Sequence, residues 1–522
     1  MSIFKSTILF SVFTLLAQVL GVLRDVLLVR FAGVGSQLDT YYMAFKIPDL
    51  LNGFYAIFLG SVIFIPIITK AYKNKSKEEV VAKINEVASF VFVLIIAFST
   101  IIFIAMPLLV NYLVPSWDAL QKTELIKLSR ILIFSQLFFP LGIIAGSIGM
   151  VFGNIKSVAI SGLIYNIGIL FGVLALYPIF GIVGVCYGVV LGAILFAAVQ
   201  IFPKEVRQIF FKIRFVYTPQ IWKSFVINNY PRLISVFGWQ AFILALAVFA
   251  ATFGTSAVSV FTLAYNMEVS VISILGMSLA SVLMPIFSKH HEAGDDVAMQ
   301  KDLTQSVIIV SWFGLLFTFI FYFLSYETVK VLFYFSNLSL DKELAIAFVF
   351  AVFVLSLTMQ NYFEIIRKYF YATNKIWEVS IMIIVFIAFA TFFYFISKNY
   401  LNLSTPVSSI AFAFFFANII TCTFITIYYK IYKIINFNQV FNNLKNIIIS
   451  IFLSIFVFSI AILFFPNIFI LAKDMHILSF ASVLLYSFVK FLALLLLVLC
   501  FCFVLKDKIL FKYLSYFKNK VL

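Results

Sequence analysis

The sequence predicts an all-α polytopic membrane protein of about fourteen transmembrane helices, with two six-helix lobes and a C-terminal helix pair. Three observations predict this fold: the composition, the lengths of the apolar runs, and the distribution of Lys and Arg. Of the 522 residues, 64% are hydrophobic and 11% are charged, and the mean hydropathy is +1.12. A soluble domain carries roughly 25% charged residues because water must cover its surface. Lipid must therefore cover most of the surface of this chain.

Apolar runs divide the whole chain into predicted spans. Each run reaches the roughly 17–25 residues that a helix needs to cross the hydrocarbon core, where a helix satisfies its own backbone groups. The first run is too long for a signal peptide and lacks a small-residue cleavage site, so we expect it to remain as a span. The predicted spans are 7–33, 38–69, 86–111, 126–153, 157–176, 178–202, 222–253, 257–287, 303–335, 342–371, 377–397, 406–432, 446–472 and 479–505.

Lys and Arg fall mainly in alternate loops. When basic residues near several span ends are counted with the adjoining loop, 25 of the 37 lie on one side of the membrane, six on the other and six within spans. Cytoplasmic loops carry the excess of Lys and Arg. We therefore expect a bacterial cytoplasmic (inner) membrane protein with both ends in the cytoplasm. Topology explains the net charge of +16, and we expect no nucleic acid partner.

The first twelve predicted spans form a tandem duplication. Three anchors recur at an offset of 218 or 219 positions: Lys5 and Lys223, Pro66 and Pro285, Lys156 and Lys375. Because each copy has an even number of spans, both enter the membrane the same way up, as in transporters built from parallel repeats. We predict a substrate site between the two lobes. The predicted domains are an N-terminal lobe at 1–220, a C-terminal lobe at 221–436 and an appended helix pair at 437–522.

Ionisable residues within the membrane are densest in the first two spans. Such residues cost about 2.5–3.5 kcal/mol on insertion scales and usually face a cavity or a partner. Pro48 is expected to loosen the second helix and to offer backbone groups to a polar ligand. The alternative is a salt-bridge network that only fixes packing, with Arg24 bound to Asp25 or Asp39. The predicted cavity residues of these spans are Arg24, Asp25, Asp39, Lys46, Asp49 and Asn52.

The second copy carries fewer charges within its spans. Glu327 with Lys330, and Glu364 with Arg367, are three residues apart and are expected to pair along one helix. Lys490 has no partner evident from the sequence, which leaves snorkelling or a lipid phosphate as alternatives. The predicted cavity residues of this copy are Arg232, Asn266 and Glu268.

The sequence predicts neither a metal site nor a catalytic site. Cys500 and Cys502 are two residues apart and point in different directions on a helix, so we expect the cysteines to pack. The three histidines are not grouped with acids in a metal geometry. The predicted outer loops are too short for a catalytic domain, which argues against a glycan ligase or transferase. We therefore expect a protein that is not an enzyme and has no cofactor.

The charged N-terminal residues lie in a distinctive string. Gly21-x-x-Arg24-Asp25, then Asp39 and Ala44-Phe45-Lys46-x-Pro48-Asp49-Leu50-Leu51, resembles the signature of the MurJ/MviN lipid II flippase family. The resemblance extends to Pro285 with Ser288-Lys289 and to the appended helix pair. It implies a divergent member of the multidrug/oligosaccharidyl-lipid/polysaccharide flippase superfamily that moves an undecaprenyl-pyrophosphate-linked precursor by alternating access. It also implies Arg24 as a cation for the pyrophosphate, Asp39 as its acidic partner, and Lys46 at the bend.

Four positions depart from the family pattern. Where the family has arginines, this chain has Gln18, Asn52, Gly53 and Asn266. A pyrophosphate carries about two negative charges and favours bidentate guanidinium donors. A cavity with Arg24, Lys46 and Arg232 would therefore hold it differently. The sequence supports a polyprenyl-linked glycan as substrate and leaves the choice between lipid II and a surface-polysaccharide precursor open.

Two other functions compete with this interpretation. An ion-coupled small-molecule exporter of the drug-efflux type would share the architecture, but such proteins normally have twelve spans. A degenerate paralogue with a regulatory or scaffold role would fit the missing arginines. The energy source is open between the membrane potential, worth about 2.3 kcal/mol per charge per 100 mV, and protonation of Asp25, Asp39 or Glu268. The oligomeric state is also open, and a monomer is compatible with the sequence.

Overall fold

The computed structural model describes residues 3–59, 77–336, 338–401, 403, 405–432, 434–464, 475, 479–512 and 515. The regular secondary structure of these residues is helical, which confirms the predicted fold class. The chain divides into two compact units, Met1–Thr262 and Leu263–Leu522. This division follows packing and not the sequence repeat, so the domain boundaries at 220 and 436 stay predictions.

The first unit consists of long helices joined by short connections. A π-helical turn at Gly172–Leu176 joins α5 to α6, and α10 begins in this unit and ends in the second. The helices are α1 Ile3–Ala32, α2 Ser36–Leu59, α3 Lys77–Leu113, α4 Ala119–Val151, α5 Ile155–Phe171, α6 Tyr177–Phe180, α7 Ile182–Ile201, α8 Lys204–Phe210, α9 Pro219–Ala251 and α10 Ala257–Ile272.

Glycines allow α5 and α7 to pack at very short distance. A Cβ atom added to Gly168 would lie 2.3 Å from Cα of Gly192, and one added to Gly172 would lie 2.7 Å from Cα of Gly188. In lipid, the association of helices depends on close van der Waals packing, because the lipid tails are as apolar as the side chains. The glycines therefore fix the distance between these two helices.

The second unit also consists of long helices joined by short connections. A π-helical turn at Ser273–Met277 joins α10 to α11, and α14 and α15 are bent by 48° relative to each other. The helices are α11 Ser278–Ala293, α12 Asp296–Phe323, α13 Ser325–Phe333, α14 Leu340–Val354, α15 Leu357–Ala372, α16 Ile376–Tyr400, α17 Ser408–Ile431, α18 Phe437–Phe464 and α19 Phe480–Val504.

Within the described residues, 12 helices are long and apolar enough to cross a membrane, and up to 13 if the bent pair is one span. The predicted span 38–69 coincides with α2, but its last part, 60–69, lies outside the described residues. Part of the predicted span 446–472 lies outside them too. The predicted span 303–335 is two helices, because Leu324 (φ −105°, ψ 16°) leaves the helical conformation between α12 and α13. The count of fourteen stays a prediction.

Buried ion pairs connect helices of the second unit. Nζ of Lys330 lies 2.7 Å from Oε1 of Glu343, and the hydroxyl of Tyr326 donates to Oε2 of Glu343 at 2.9 Å. Glu327 pairs with Lys490 of α19, which gives Lys490 the partner that the sequence did not reveal. Glu327 and Lys330 thus each have a partner on another helix, in place of the local pair expected from their spacing.

The pairing predicted within α15 is confirmed. Glu364 and Arg367, three residues apart, form an ion pair. The four cysteines are free; Cys186 and Cys502 are buried and Cys422 is half-buried, whereas Cys500 is exposed and does not pack as expected.

The appended helices α18 and α19 pack against α12. Leu444 of α18 and Leu494 of α19 share a hydrophobic core with Trp312 of α12. The indole Nε1 of Trp312 also donates to Oδ1 of Asp507 at 3.2 Å, and the backbone N–H of Leu510 donates to the same oxygen at 3.0 Å. Burial raises the pKa of Asp507, and these hydrogen bonds oppose that rise. Both apolar and polar contacts therefore hold the C-terminal pair in this unit.

Removing one partner of the Glu327–Lys490 pair should destabilise the second unit. Lys490→Met leaves the carboxylate of Glu327 buried without its cation, a change that costs about 3–5 kcal/mol in buried pairs. We expect unfolding in mild detergent, followed by tryptophan fluorescence, at a lower denaturant concentration than for the parent. The double variant Lys490→Met with Glu327→Gln should recover much of the loss.

The matched control is Lys512→Met, which removes an exposed lysine and should leave the midpoint unchanged. A Lys490→Met variant as stable as the parent would contradict the pairing.

Candidate functional site

Arg24 and Asp25 form an ion pair on α1. Nε and Nη2 of Arg24 lie 3.0 and 2.9 Å from Oδ1 of Asp25. The hydroxyl of Tyr42, on α2, donates to the same oxygen at 3.4 Å. Asp25 is buried, whereas the Arg24 side chain keeps 23% of its surface exposed. These contacts use two of the three guanidinium nitrogens, so Nη1 can still donate to an anion.

Lys46, Asp49 and Asn52 follow at three-residue intervals along α2 and are all partly exposed. Nδ2 of Asn52 donates to Oδ1 of Asp49 at 3.4 Å. No ion pair with Lys46 is found among the described residues. Pro48 removes the backbone donor for the carbonyl of Ala44, although α2 continues through it to Leu59.

The structure brings the charges of α1 and α2 together. Arg24 interacts electrostatically with Asp49, and Lys46 does so with Asp25. We call these four residues the α1–α2 charge cluster. The cluster holds two cations and two acids, so the orientation of its donors, and not a net charge, would select a ligand.

Asp39 lies at the other end of α2 and binds the beginning of α10. Its Oδ2 accepts from the backbone N–H of Ser256 at 2.6 Å. Its Oδ1 accepts from the backbone N–H of Ser259 at 2.7 Å and from the Ser259 hydroxyl at 2.5 Å. Ser256 has a positive φ of 74°, which is unusual for a residue with a side chain. Asp39 therefore stabilises this turn and caps the positive end of α10.

The glycine at one family arginine position has a packing reason. A Cβ atom on Gly53 would lie 3.0 Å from Cγ of Gln240 and 3.5 Å from Cγ1 of Val236, both on α9. A side chain at position 53 would therefore require Gln240 to shift by a few tenths of an ångström. Gln18 and Asn52, at two other arginine positions, are partly exposed and impose no such limit.

The remaining predicted cavity residues lie on α9 and α10. Arg232 and Asn266 are both partly exposed. Glu268, in the second unit, has no exposed surface. Its Oε1 accepts from Nε2 of Gln360 and from the hydroxyl of Ser356, the latter at 3.3 Å. Glu268 thus lies in a packed helix interface and not on an open surface.

Sequence reasoning missed the partners of both buried acids. Ser256 and Ser259 precede or begin a helix, where serine is a common capping residue, but nothing in the sequence relates them to Asp39. Ser356 and Gln360 are one helical turn apart, yet a polar pair at that spacing is also typical of an exposed face. Only the packing of helices shows what these side chains bind.

Comparisons with known proteins agree on one family. The model of the family "Lipid II flippase MurJ" matches residues 28–468. The probable lipid II flippase MurJ of Buchnera aphidicola (subsp. Acyrthosiphon pisum) is 23% identical over 392 residues, covering 72% of this chain and 74% of that protein. A solved lipid II flippase MurJ in an inward closed conformation has a TM-score of 0.73 at 19% identity, covering 93% of this chain and 98% of that one.

A broader structural likeness accompanies the family match. An inward-facing multidrug resistance MATE family transporter of the MOP superfamily has a TM-score of 0.68 at 15% identity, covering 80% of this chain and 94% of that one. At such identities the likeness shows the fold alone.

The apolar helices and the family match define a multi-pass inner-membrane protein of the transporter class. The family model covers most of the sequence. The chain belongs to the lipid II flippase MurJ family.

Asp39→Ala should loosen the beginning of α10. Replacing a capping residue by alanine costs about 0.5–2 kcal/mol, and Ser256 would lose the acceptor that stabilises its positive φ. We expect faster amide hydrogen exchange at residues 256–262, measured by mass spectrometry in detergent.

Asp118→Ala is the matched control, because Asp118 caps α4 by accepting from the N–H of Gln121 at 2.8 Å. That variant should speed exchange at the start of α4 and leave residues 256–262 as in the parent. Unchanged exchange at 256–262 in Asp39→Ala would refute the capping role.

Proposed function

We propose that this chain flips a polyprenyl-pyrophosphate-linked glycan, lipid II or a related cell-envelope precursor, from the cytoplasmic to the outer leaflet by alternating access. The family match supports this function, since the relatives that it joins are described as lipid II flippases. Both chain ends lie in the cytoplasm in this proposal, and the protein acts as a transporter without catalysis or a cofactor. This function requires no more than a monomer.

The observation that carries the proposal is the partly exposed guanidinium of Arg24. A pyrophosphate cannot enter hydrocarbon unless protein groups replace its water, because an unpaired charge there is very costly. Asp25 accepts from Nε and Nη2 of Arg24, which fixes the direction of the guanidinium. Nη1 then donates to a phosphate oxygen. Lys46, which has no ion pair in the described part of the chain, supplies a second cation.

The departures from the family pattern bear on which glycan is carried. Gln18, Asn52, Gly53 and Asn266 offer no guanidinium, so the pyrophosphate has fewer bidentate donors than in a typical member. Arg232 on α9 is the third cation among the predicted cavity residues. Asn52 and Gln18 can still donate single hydrogen bonds from their amides. Lipid II is the first candidate, and a surface-polysaccharide precursor is the second.

The drug-efflux alternative has weaker support. The MATE likeness extends to the fold alone, whereas the flippase family model covers residues 28–468. An acid-lined second unit would favour an exporter of cations, and of the predicted cavity residues in that unit only Glu268 is an acid.

Arg24→Ala should abolish transport and leave the protein folded in the membrane. The variant removes the donor to the phosphate, and Arg24→Lys should retain part of the activity because it keeps a charge without the bidentate geometry. A flipping assay in proteoliposomes with fluorescent lipid II measures the effect, with a loss of about tenfold or more expected for one charge-assisted contact of about 1.5–3 kcal/mol.

Arg130→Ala is the matched control. Arg130 donates to the carbonyl of Phe103 at 3.2 Å and lies over the Phe103 ring, so its removal changes a helix contact without touching the cluster. Arg24→Ala flipping at the parental rate would refute the phosphate role of Arg24.

A separate experiment tests the substrate. Expression of the chain should rescue growth of a bacterium depleted of its own essential lipid II flippase if lipid II is the cargo. Arg24→Ala expressed to the same level should not rescue. Failure of the parent to rescue, together with loss of surface polysaccharide when the gene is deleted in its own host, would assign the other glycan class.

A further inference from the structure

Glu268 is a buried acid whose contacts are incomplete. It lies on α10 against α15 and has no exposed surface. Gln360 and Ser356 of α15 both approach Oε1, whereas Oε2 has no hydrogen-bond partner. An ionised carboxylate has about four acceptor sites to satisfy. One of its two oxygens is therefore left bare.

Two of the hydrogen atoms near Glu268 are directed at other acceptors, which further reduces the number of donors to its carboxyl group. The hydroxyl of Ser356 is 2.7 Å from the carbonyl of Phe353, which is a better acceptor by distance than Oε1 of Glu268 at 3.3 Å. The second hydrogen of the Gln360 amide is directed at Oγ of Ser356, 2.9 Å away. Only one firm donor, from Gln360, thus remains for Glu268.

No cation compensates the carboxyl group in the described part of the second unit. The nearest charged residues along α15 are Glu364 and Arg367, which pair with each other. Tyr265, one turn before Glu268 on α10, is the other titratable neighbour and is a weak acid itself. An ionised carboxylate buried in hydrocarbon with one firm neutral donor and no cation is strongly disfavoured.

The same helix interface contains an irregular turn. The π-helical turn at Ser273–Met277 follows Glu268 by about one turn, and such turns are frequent at functional sites. Gly276 of this turn packs directly against Asn361, the residue after Gln360. Both polar side-chain atoms of Asn361 are buried without a hydrogen-bond partner. Oε2 of Glu268 on α10 and the amide of Asn361 on α15 thus lack hydrogen-bond partners. These polar groups favour the entry of water when α10 and α15 separate.

We propose that Glu268 is the proton-binding site that couples transport to the proton gradient. In the packed arrangement Glu268 carries a proton, and its carboxyl group is neutral. When the interface opens, water reaches Oε2 and the proton passes from the carboxyl to water, leaving a solvated carboxylate. After opening toward the opposite side of the membrane, repacking requires a proton to return from the water on that side, so each cycle of alternating access carries one proton across the membrane. This inference rests on the proposed function for the cargo but concerns a different residue and a different ligand.

Infrared spectroscopy of the purified chain in lipid tests the protonation directly, without any transport. The difference spectrum between parent and Glu268→Gln should contain the C=O band of a protonated carboxylic acid, which shifts in D₂O. Glu364→Gln is the matched control, because Glu364 has a cationic partner on the same interface, and its difference spectrum should lack that band. Absence of the band in the Glu268→Gln difference would overturn the proposal.

A transport readout tests the coupling. In proteoliposomes at fixed membrane potential, an imposed pH gradient should change the parental flipping rate, and this dependence should be lost in Glu268→Gln. Equal pH dependence in parent and variant would refute coupling through Glu268, while parental flipping of lipid II would leave the proposed function intact. Replacing potassium with sodium at constant pH should change neither the rate nor the band. A band that disappears on adding sodium would assign the carboxyl to a metal cation instead.

Discussion

A charge inside hydrocarbon must be satisfied by the protein, because no water is present to solvate it. The described residues meet this constraint in two ways. Lys330 with Glu343, and Glu327 with Lys490, are paired across helices, so these charges fix packing. Among the described residues, no protein group uses the remaining donor capacity of Arg24, and Lys46 has no ion pair. Glu268 keeps a bare oxygen. The incompletely satisfied groups are the ones from which we infer transport.

Hydrogen bonds between helices and close helix packing position the charged residues of the first unit. Asp25 orients the guanidinium of Arg24 on α1. Tyr42 of α2 donates to the same oxygen, Oδ1 of Asp25, so this atom links α1 to α2. Asp39 caps α10 and holds Ser256 at a positive φ. Gly53 allows α9 to approach α2.

The helical class and the positions of most spans follow from composition and run length, since hydrocarbon leaves few alternatives to a helix. The local pair Glu364–Arg367 was also predictable, because its spacing on a helix brings the two side chains together. Contacts between residues far apart in the sequence could not be predicted. Lys490 lies 163 residues from Glu327, and Asp39 lies 220 residues from Ser259. Hydrophobicity in an almost uniformly apolar helix does not show which face meets which neighbour, so the role of Asp39 and the burial of Glu268 required the structure.

The central claim is that the charge cluster of α1 and α2 faces water within the membrane and accepts phosphate there. Lys46→Cys in a chain whose four native cysteines are replaced by serine or alanine tests it most directly. We expect a charged, membrane-impermeant thiol reagent to label position 46 in vesicles, and inorganic pyrophosphate to slow the labelling. A cysteine that reacts only with a lipid-soluble reagent, at a rate that pyrophosphate leaves unchanged, would place the cluster against lipid and contradict the account.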